Sequence, residues 1–236
     1  KLYEEAALMA DTSQLKFNAL QSAADAYGKA GLLAKEFETL ETMLDRYSSK
    51  CDFVKVTDRE FEIANAYDKG HRDPAYWALR WIPWLTEPDR TAEFYQKALE
   101  RAPFAKAAPA ARLALAFRLD DSLKPDEAIN QLRALIKDYP TAPERKYGYL
   151  ALGEMLFQRS RRGDGDGRYN REALATFREF KNLYPDAPEN DFVDKCILKS
   201  KDVQAERLLN IAKFYKRTDR PETAERYLNT VMQYYP

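Results

Sequence analysis

The chain has 236 residues, of which 45% are hydrophobic and 32% are charged, so it has enough apolar material to bury a sizeable core. Thirty-eight basic residues balance 38 acidic ones, which excludes a global field that would favour nucleic acid or an anionic membrane. The apolar runs are short and interrupted by charge, so no transmembrane helix is predicted, and we expect no signal peptide at Lys1.

The first part of the chain predicts two helical hairpins. Small and aromatic residues recur there at helical spacing, for example Ala24 and Tyr27 in the first hairpin and Ala64 and Tyr67 in the second. The alanines allow two helices to approach closely, and the aromatic rings fill the space between them. We therefore interpret this part as repeats 1 and 2.

The segment "HRDPAYWALRWIPWLTEPDR" at 71–90 interrupts the second hairpin and contains all three tryptophans, Trp77, Trp81 and Trp84. Two interpretations stay open. The rings pack into the helical core, or they form exposed aromatic anchors for a partner or a membrane surface. His71 is the only histidine of the sequence and has no cysteine nearby, so we expect no metal site.

The second part of the chain repeats an aromatic–proline ending. "LIKDYPTAP" at 135–143 and "KNLYPDAP" at 181–188 are nearly the same, and "VMQYYP" closes the sequence at 231–236. Proline cannot continue a helix, so each ending is predicted to terminate the second helix of a hairpin. Three further repeats, numbers 3 to 5, follow from this pattern.

Two features interrupt the later repeats. A polar insertion is predicted at 158–171, where Asp164 and Asp166 resemble the start of a calcium loop, but Ala175 takes the place of the acidic ligand that closes such a loop. The segment 191–217 lacks glycine and proline and predicts a continuous helix of about 27 residues, about 40 Å long at 1.5 Å per residue.

Together these elements predict an all-α fold, a right-handed superhelical solenoid of about five tetratricopeptide-like helical hairpins. We expect one continuous solenoid divided into residues 1–103, with repeats 1 and 2, and residues 104–236, with repeats 3 to 5. Cys51 and Cys196 fall in distant repeats and are expected to be free thiols. The sequence has no glycine-rich phosphate loop and no histidine pair, so we expect neither catalysis nor a cofactor.

From about residue 90 to 236 the chain resembles the outer-membrane β-barrel assembly lipoprotein D (BamD-like) family. The resemblance rests on "AEFYQKALERAPFAKAAPAARLALAFRL", "IKDYPTAP", "REALATFREFKNLYPDAP" and "LLNIAKFYKRTDRPETAERYLNTVMQYYP", and on the order of ordinary and lengthened repeats. It implies a periplasmic scaffold that an N-terminal lipid, absent from this chain, anchors to the outer membrane of a Gram-negative cell. It further implies protein partners: a barrel-inserting protein and unfolded outer-membrane proteins.

The resemblance implies that the N-terminal repeats receive the substrate and that the C-terminal repeats dock the partner. Repeat position then suggests a substrate groove formed by Gln21, Asp25, Phe61, Asn65, Asp68 and Arg118, with Trp77, Trp81 and Trp84 as aromatic anchors. The candidate docking surface consists of Arg161, Arg162, Arg168, Arg217 and Arg226.

Two other functions stay open at this point. A periplasmic repeat protein that coordinates envelope constriction would also have hairpins that end in Tyr-Pro, but it usually has a more regular repeat and an N-terminal coiled coil. A cytosolic adaptor that binds peptide tails would carry basic clamp residues on successive first helices, and Lys29, Lys69 and Arg118 fit that pattern only in part.

Overall fold

The computed structural model describes residues 2–75, 86–162 and 167–234. In these ranges the secondary structure is helical, apart from an isolated antiparallel β-bridge between Pro74 and Thr86, and the predicted all-α class is confirmed. The helices are α1 Leu2–Met9, α2 Ser13–Ala30, α3 Leu33–Tyr47, α4 Phe53–Asp68, α5 Thr91–Arg101, α6 Ala108–Asp121, α7 Pro125–Asp138, α8 Glu144–Arg161, α9 Arg168–Leu183, α10 Asn190–Arg217 and α11 Pro221–Tyr234, with a short 3₁₀ turn at Ser48–Lys50.

The chain forms two compact units, Lys1–Leu123 and Lys124–Pro236, which we call the N-terminal unit and the C-terminal unit. The hairpins α2–α3 and α4–α5 lie in the N-terminal unit, and α8–α9 and α10–α11 lie in the C-terminal unit. The two helices of the predicted third hairpin, α6 and α7, belong to different units. The division at residues 103 and 104 and the continuous superhelical course stay predictions.

Local signals fix the ends of α2. The hydroxyl of Thr12 accepts a hydrogen bond from the amide of Leu15 at 3.3 Å and caps the first turn. At the other end Gly31 has a φ of 72°, and its amide donates to the carbonyl of Gly28. Glycine adopts this left-handed conformation without steric cost, so α2 ends there and the chain reverses into α3.

Alanines and aromatic rings form the core of the N-terminal unit, as the repeat pattern predicts. Ala64 on α4 and Ala98 on α5 are fully buried, which lets the two helices approach closely. The ring of Phe94 stacks on Phe37 at 4.5 Å and meets the ring of Tyr67 edge-on at 4.8 Å. These aromatic contacts tie α3, α4 and α5 into one core.

Asp73 joins the base of the predicted tryptophan-rich insertion to α3. Its side chain is almost completely buried and accepts hydrogen bonds from the amides of Leu33 and Ala34 at 3.1 and 3.0 Å. The residue that precedes α3 provides no side-chain cap, so Asp73 satisfies the first amides of the helix from 40 residues away. The amide of Glu87 donates to the carbonyl of Asp73 at 2.8 Å, which brings the two ends of the insertion together.

The aromatic–proline endings stop helices in the predicted way. Helix α7 ends at Asp138, and Tyr139 follows it as a cap whose amide donates to the carbonyl of Leu135. Helix α9 ends at Leu183, and Tyr184 takes the same position before the next proline. The residue before a proline is disfavoured in helical conformation, which explains why both helices stop at the tyrosine.

In the C-terminal unit, α8 and α9 pack closely against each other. Phe177 and Phe180 of α9 are fully buried, and the ring of Phe177 lies against the backbone of α8 at Gly153. A larger residue would crowd this position, because an added Cβ would lie 2.5 Å from Cε1 of the phenyl ring. Helix α8 continues to Arg161 and α9 begins at Arg168, so both helices extend into the predicted insertion at 158–171.

Helix α10 covers the predicted segment 191–217 and has one further residue at its N-terminal end. Val193, Cys196 and Ser200 are buried in its first part, whereas Ala212 is the buried residue of its second half. The second half of α10 therefore leaves most of its side chains partly or fully accessible, and α11 packs beside it. Cys196 and Cys51 are free thiols.

Candidate partner-binding site

An open groove of about 890 Å³ lies in the C-terminal unit, between the end of α8, the second half of α10 and α11. Helix α11 reaches this place because the chain reverses at Asp219, which has a φ of 55°, and the amide of Arg220 donates to the carbonyl of Tyr215. The groove is lined by Ser160, Arg161, Val203, Glu206, Arg207, Asn210, Ile211, Phe214, Tyr215 and Tyr227.

Three aromatic side chains form the apolar wall of the groove. The rings of Tyr215 and Tyr227 stack at 5.7 Å with an angle of 8° between their planes, which joins α10 to α11. Phe214 meets Tyr215 edge-on at 5.5 Å and is 52% exposed. An exposed phenyl ring held by a stacked tyrosine pair presents apolar surface whose conformational freedom is already restricted.

Charged side chains lie along the other walls. Arg161 at the end of α8 and Glu206 on α10 are both exposed, and Arg207 lies beside them. The guanidinium of Arg207 occupies the space next to Gly167, where a larger residue would collide with it, and Gly167 has a φ of 72° that favours glycine. Arg207 therefore lies close to the start of α9 as well as at the groove.

Aromatic and arginine side chains around an open apolar groove can bind a segment of another protein, because these residue types contribute most to protein interfaces. Across residues 2–75, 86–162 and 167–234, no group of three or more His, Cys, Asp or Glu side chains could hold a metal ion. In the same ranges no helix combines the length and the apolar character that crossing a bilayer requires.

The predicted docking arginines differ in their relation to the groove. Arg161 lines the groove, whereas Arg162, Arg217 and Arg226 are exposed and do not line it. Arg168, on the first turn of α9, is exposed and its guanidinium lies over the ring of Tyr169 at 5.1 Å. Whether these arginines bind a partner stays a prediction.

In the N-terminal unit, three of the predicted groove residues lie near one another. Arg118 of α6 donates from Nε to the carboxylate of Asp68 at 2.6 Å and from Nη2 to its carbonyl at 2.9 Å. This hydrogen bond raises the pKa of Arg118. The hydroxyl of Tyr95 donates to Oδ1 of Asn65 at 2.7 Å, and burial raises the pKa of Tyr95 so that it stays protonated.

The other predicted groove residues have different surroundings. Gln21 and Asp25 are exposed on α2. Phe61 is 1% exposed, so it supports the core of α4 and offers no surface to a ligand. Trp77, Trp81 and Trp84 lie outside the described residues, and their role as anchors stays a prediction.

The repeat pattern did not identify Phe214 and Tyr227 as binding residues. The adjacent pair Phe214 and Tyr215 is a signal that could have identified them, because neighbouring residues on a helix point about 100° apart. When one of them faces the partner helix, the other is directed towards solvent. Asp73 was also overlooked, since a residue that caps a helix 40 positions away leaves no local pattern.

Comparisons with known proteins agree with the resemblance noted in the sequence. A family model described as YfiO, outer membrane lipoprotein, matches residues 89–236, which is more than half of the chain. No curated protein matches the sequence. Among solved structures, kinesin-light-chain-type TPR-like repeats from Podosopora anserina are 11% identical, with 94% of this chain and 98% of that chain covered and a TM-score of 0.46.

A second similar structure is BtubC (BKLC) from P. vanneervenii, which is 16% identical, with 98% of this chain and 85% of that chain covered and a TM-score of 0.42. The family match includes all of α6 to α11 that the structure describes, and with them the whole groove. The chain therefore belongs to the YfiO family of outer membrane lipoproteins, the BamD-like family.

Proposed function

We propose that the protein is a scaffold of an outer-membrane β-barrel assembly machine. Its C-terminal unit binds the barrel-inserting partner, and its N-terminal unit contacts unfolded outer-membrane proteins. The full-length protein works on the periplasmic side of the outer membrane and is held there by an N-terminal lipid. This role requires no reaction and no cofactor.

The observation that carries the proposal is the groove between α8, α10 and α11, which lies within the part of the chain that matches the family. Its aromatic wall includes the half-exposed ring of Phe214, and Arg161 at the end of α8 also lines it. A partner segment that covers this ring removes apolar surface from water at a position where the ring is already held by Tyr215.

The test begins with the full-length lipidated protein, extracted from the membrane of its native host and affinity-purified. We expect an outer-membrane β-barrel protein with periplasmic domains to be recovered with it. The variant Phe214→Ala should weaken the binding of that partner about tenfold, because a central aromatic contact in an interface contributes about 1–2 kcal/mol.

Leu198→Ala is the matched control. Leu198 lies on the same helix and is 60% exposed, but it does not line the groove. Partner recovery should be unchanged in this variant. Recovery of septal or peptidoglycan-synthesis proteins in place of a barrel protein would contradict the proposal, and equal partner binding by Phe214→Ala and wild type would reject the groove as the docking site.

The N-terminal unit supplies the second surface of the proposed scaffold. Asn65, Asp68 and Arg118 are held by hydrogen bonds between α4, α5 and α6, so they present polar groups in a fixed arrangement. Gln21 and Asp25, exposed on α2, are further candidate residues for binding the substrate. An Arg118→Ala variant should bind an unfolded outer-membrane protein segment more weakly and retain the barrel partner, since the partner groove belongs to the other unit.

A further inference from the structure

Glu60 is a buried carboxyl group with no hydrogen-bond donor beside it. It lies on α4, its exposed fraction is 0%, and neither Oε1 nor Oε2 has a donor within hydrogen-bonding distance. An ionised carboxylate in such a position loses its hydration and gains nothing in return. The protonated form avoids most of this loss.

The charged groups that face Glu60 come from α3 and α5, two of the helices packed against α4. Glu41 and Asp45 lie on α3, and Arg101 lies on α5. Arg101 is occupied by the two acidic residues of α3, since its Nη2 lies 2.8 Å from the carboxylate of Glu41 and its Nη1 lies 2.8 Å from that of Asp45. Glu60 is therefore a third carboxyl group next to an arginine that already has two.

The neighbouring arginine of α4 does not help Glu60. Arg59 directs its guanidinium to Glu36 of α3, with Nε at 2.7 Å from Oε1, and to Glu62 on its own helix at 2.8 Å. Burial, followed by the negative charge of Glu41 and a hydrogen bond between the two carboxyl groups, raises the pKa of Glu60 to about 8. Glu60 is buried, no donor reaches its oxygens, and both neighbouring arginines are already paired with other carboxylates. All three features favour the protonated form, so the folded unit binds a proton here near neutral pH.

We propose that Glu60 is a proton-operated latch of the N-terminal unit: its protonated form lets α4 pack against α3 and α5, and its ionisation in mildly alkaline solution loosens these helices. The latch does not depend on the proposed function. One consequence does rest on it: α4 also carries Asn65 and Asp68, so loosening of α4 would disturb the candidate substrate surface.

The direction of the effect follows from proton linkage. In the unfolded chain a glutamate titrates near its ordinary value of about 4.3, so between that pH and about 8 the folded state holds one proton more than the unfolded state. The contribution of this group to stability is therefore complete below the unfolded pKa and is lost as pH rises towards the folded pKa. Stability should fall with rising pH through this window.

Hydrogen–deuterium exchange of the full chain at pH 6 and pH 9, with exchange times scaled for the intrinsic rate, tests the latch. In the wild type we expect helices α3, α4 and α5 to lose at least tenfold in protection at pH 9, while α8 and α9 keep theirs. Glu60→Gln, which imitates the protonated carboxyl group, should retain its protection at both pH values. Equal protection of the wild type at the two pH values would overturn the proposal.

Glu62→Gln is the matched control, because Glu62 lies two residues away on the same helix with a side chain that is 64% exposed. It should lose protection at pH 9 in the same way as the wild type. If Glu60→Gln does not fold, the infrared absorption of protonated carboxyl groups in the wild type tests whether Glu60 holds a proton. A band at pH 7 that disappears above pH 9 supports the latch, and the absence of that band at pH 7 refutes it.

Discussion

The contact between Gly153 and Phe177 gives the sharpest test of how the C-terminal unit packs. Gly153→Ala adds one methyl group to α8 at the point where the phenyl ring of α9 lies against the helix backbone. The new Cβ would meet Cε1, Cζ and Cδ1 of the ring at 2.5, 2.7 and 2.8 Å. Carbon atoms in favourable contact lie about 3.5–4.0 Å apart, so the ring or the helix has to move by about 1 Å.

Two opposing effects set the change in stability caused by Gly153→Ala. Alanine is the better helix former and stabilises a helix interior by about 1 kcal/mol relative to glycine. Overpacking of a tight core costs about 1–3 kcal/mol, and the upper part of that range applies here because Phe177 is fully buried and its ring cannot bend. We therefore expect a net loss of about 1–2 kcal/mol in the free energy of unfolding of the C-terminal unit.

Urea unfolding monitored by exchange of amides in α8 and α9 measures this loss without assuming that the two units unfold together. Gly148→Ala on the same helix is the control. Its Cβ would lie 2.9 Å from Cδ2 of Leu135 and 3.4 Å or more from every other atom, so one methyl group is crowded where Gly153→Ala crowds three ring carbons. This variant should be within about 0.5 kcal/mol of the wild type, because the helix gain offsets a smaller clash.

A second substitution tests whether the clash with Phe177 causes the loss of stability. Phe177→Leu removes the rigid ring, so the double variant Gly153→Ala/Phe177→Leu should lose less stability than the sum of the two single changes. The reasoning is refuted if Gly153→Ala is as stable as the wild type or more stable. It is also refuted if the two changes are additive.

Two further predictions concern the N-terminal unit. Asp73→Ala removes the buried acceptor of two α3 amides and should destabilise the unit by about 1–3 kcal/mol, measured by urea unfolding. Asp73→Asn keeps one acceptor oxygen and should lose less stability. Leu123 has a φ of 59° and is 83% exposed, so Leu123→Gly should relieve strain and raise the thermal midpoint by about 2–4 °C, whereas Leu123→Ala should not.

Periodic and terminal signals in the sequence predicted the helices well. The Tyr-Pro endings at Tyr139 and Tyr184 coincide with the ends of α7 and α9, because proline restricts the residue before it whatever the tertiary context. The uninterrupted run at 191–217 became α10 because nothing in it disfavours helix, and the small residues Ala64 and Ala98 are buried where their spacing places them.

The candidate groove could not be derived in the same way. Arg161 lines it and was selected as part of a basic segment, whereas Phe214 resembles any other aromatic residue of a repeat. Its exposure depends on which side of α10 is covered by α11 and α8. Phe61 shows the opposite case, because its repeat position suggested a groove but the packing of α4 buries it.

By itself, the sequence determined the all-α class, the helix ends and the family, because these depend on local propensity, on the spacing of residues and on matching motifs. Tertiary structure alone decided which side chains of those helices meet. It placed Asp73 at the start of α3, paired Arg101 with Glu41 and Asp45, and left the oxygens of Glu60 without a hydrogen-bond donor. Burial and charge pairing are properties of neighbours in space, and distances along the chain do not encode them.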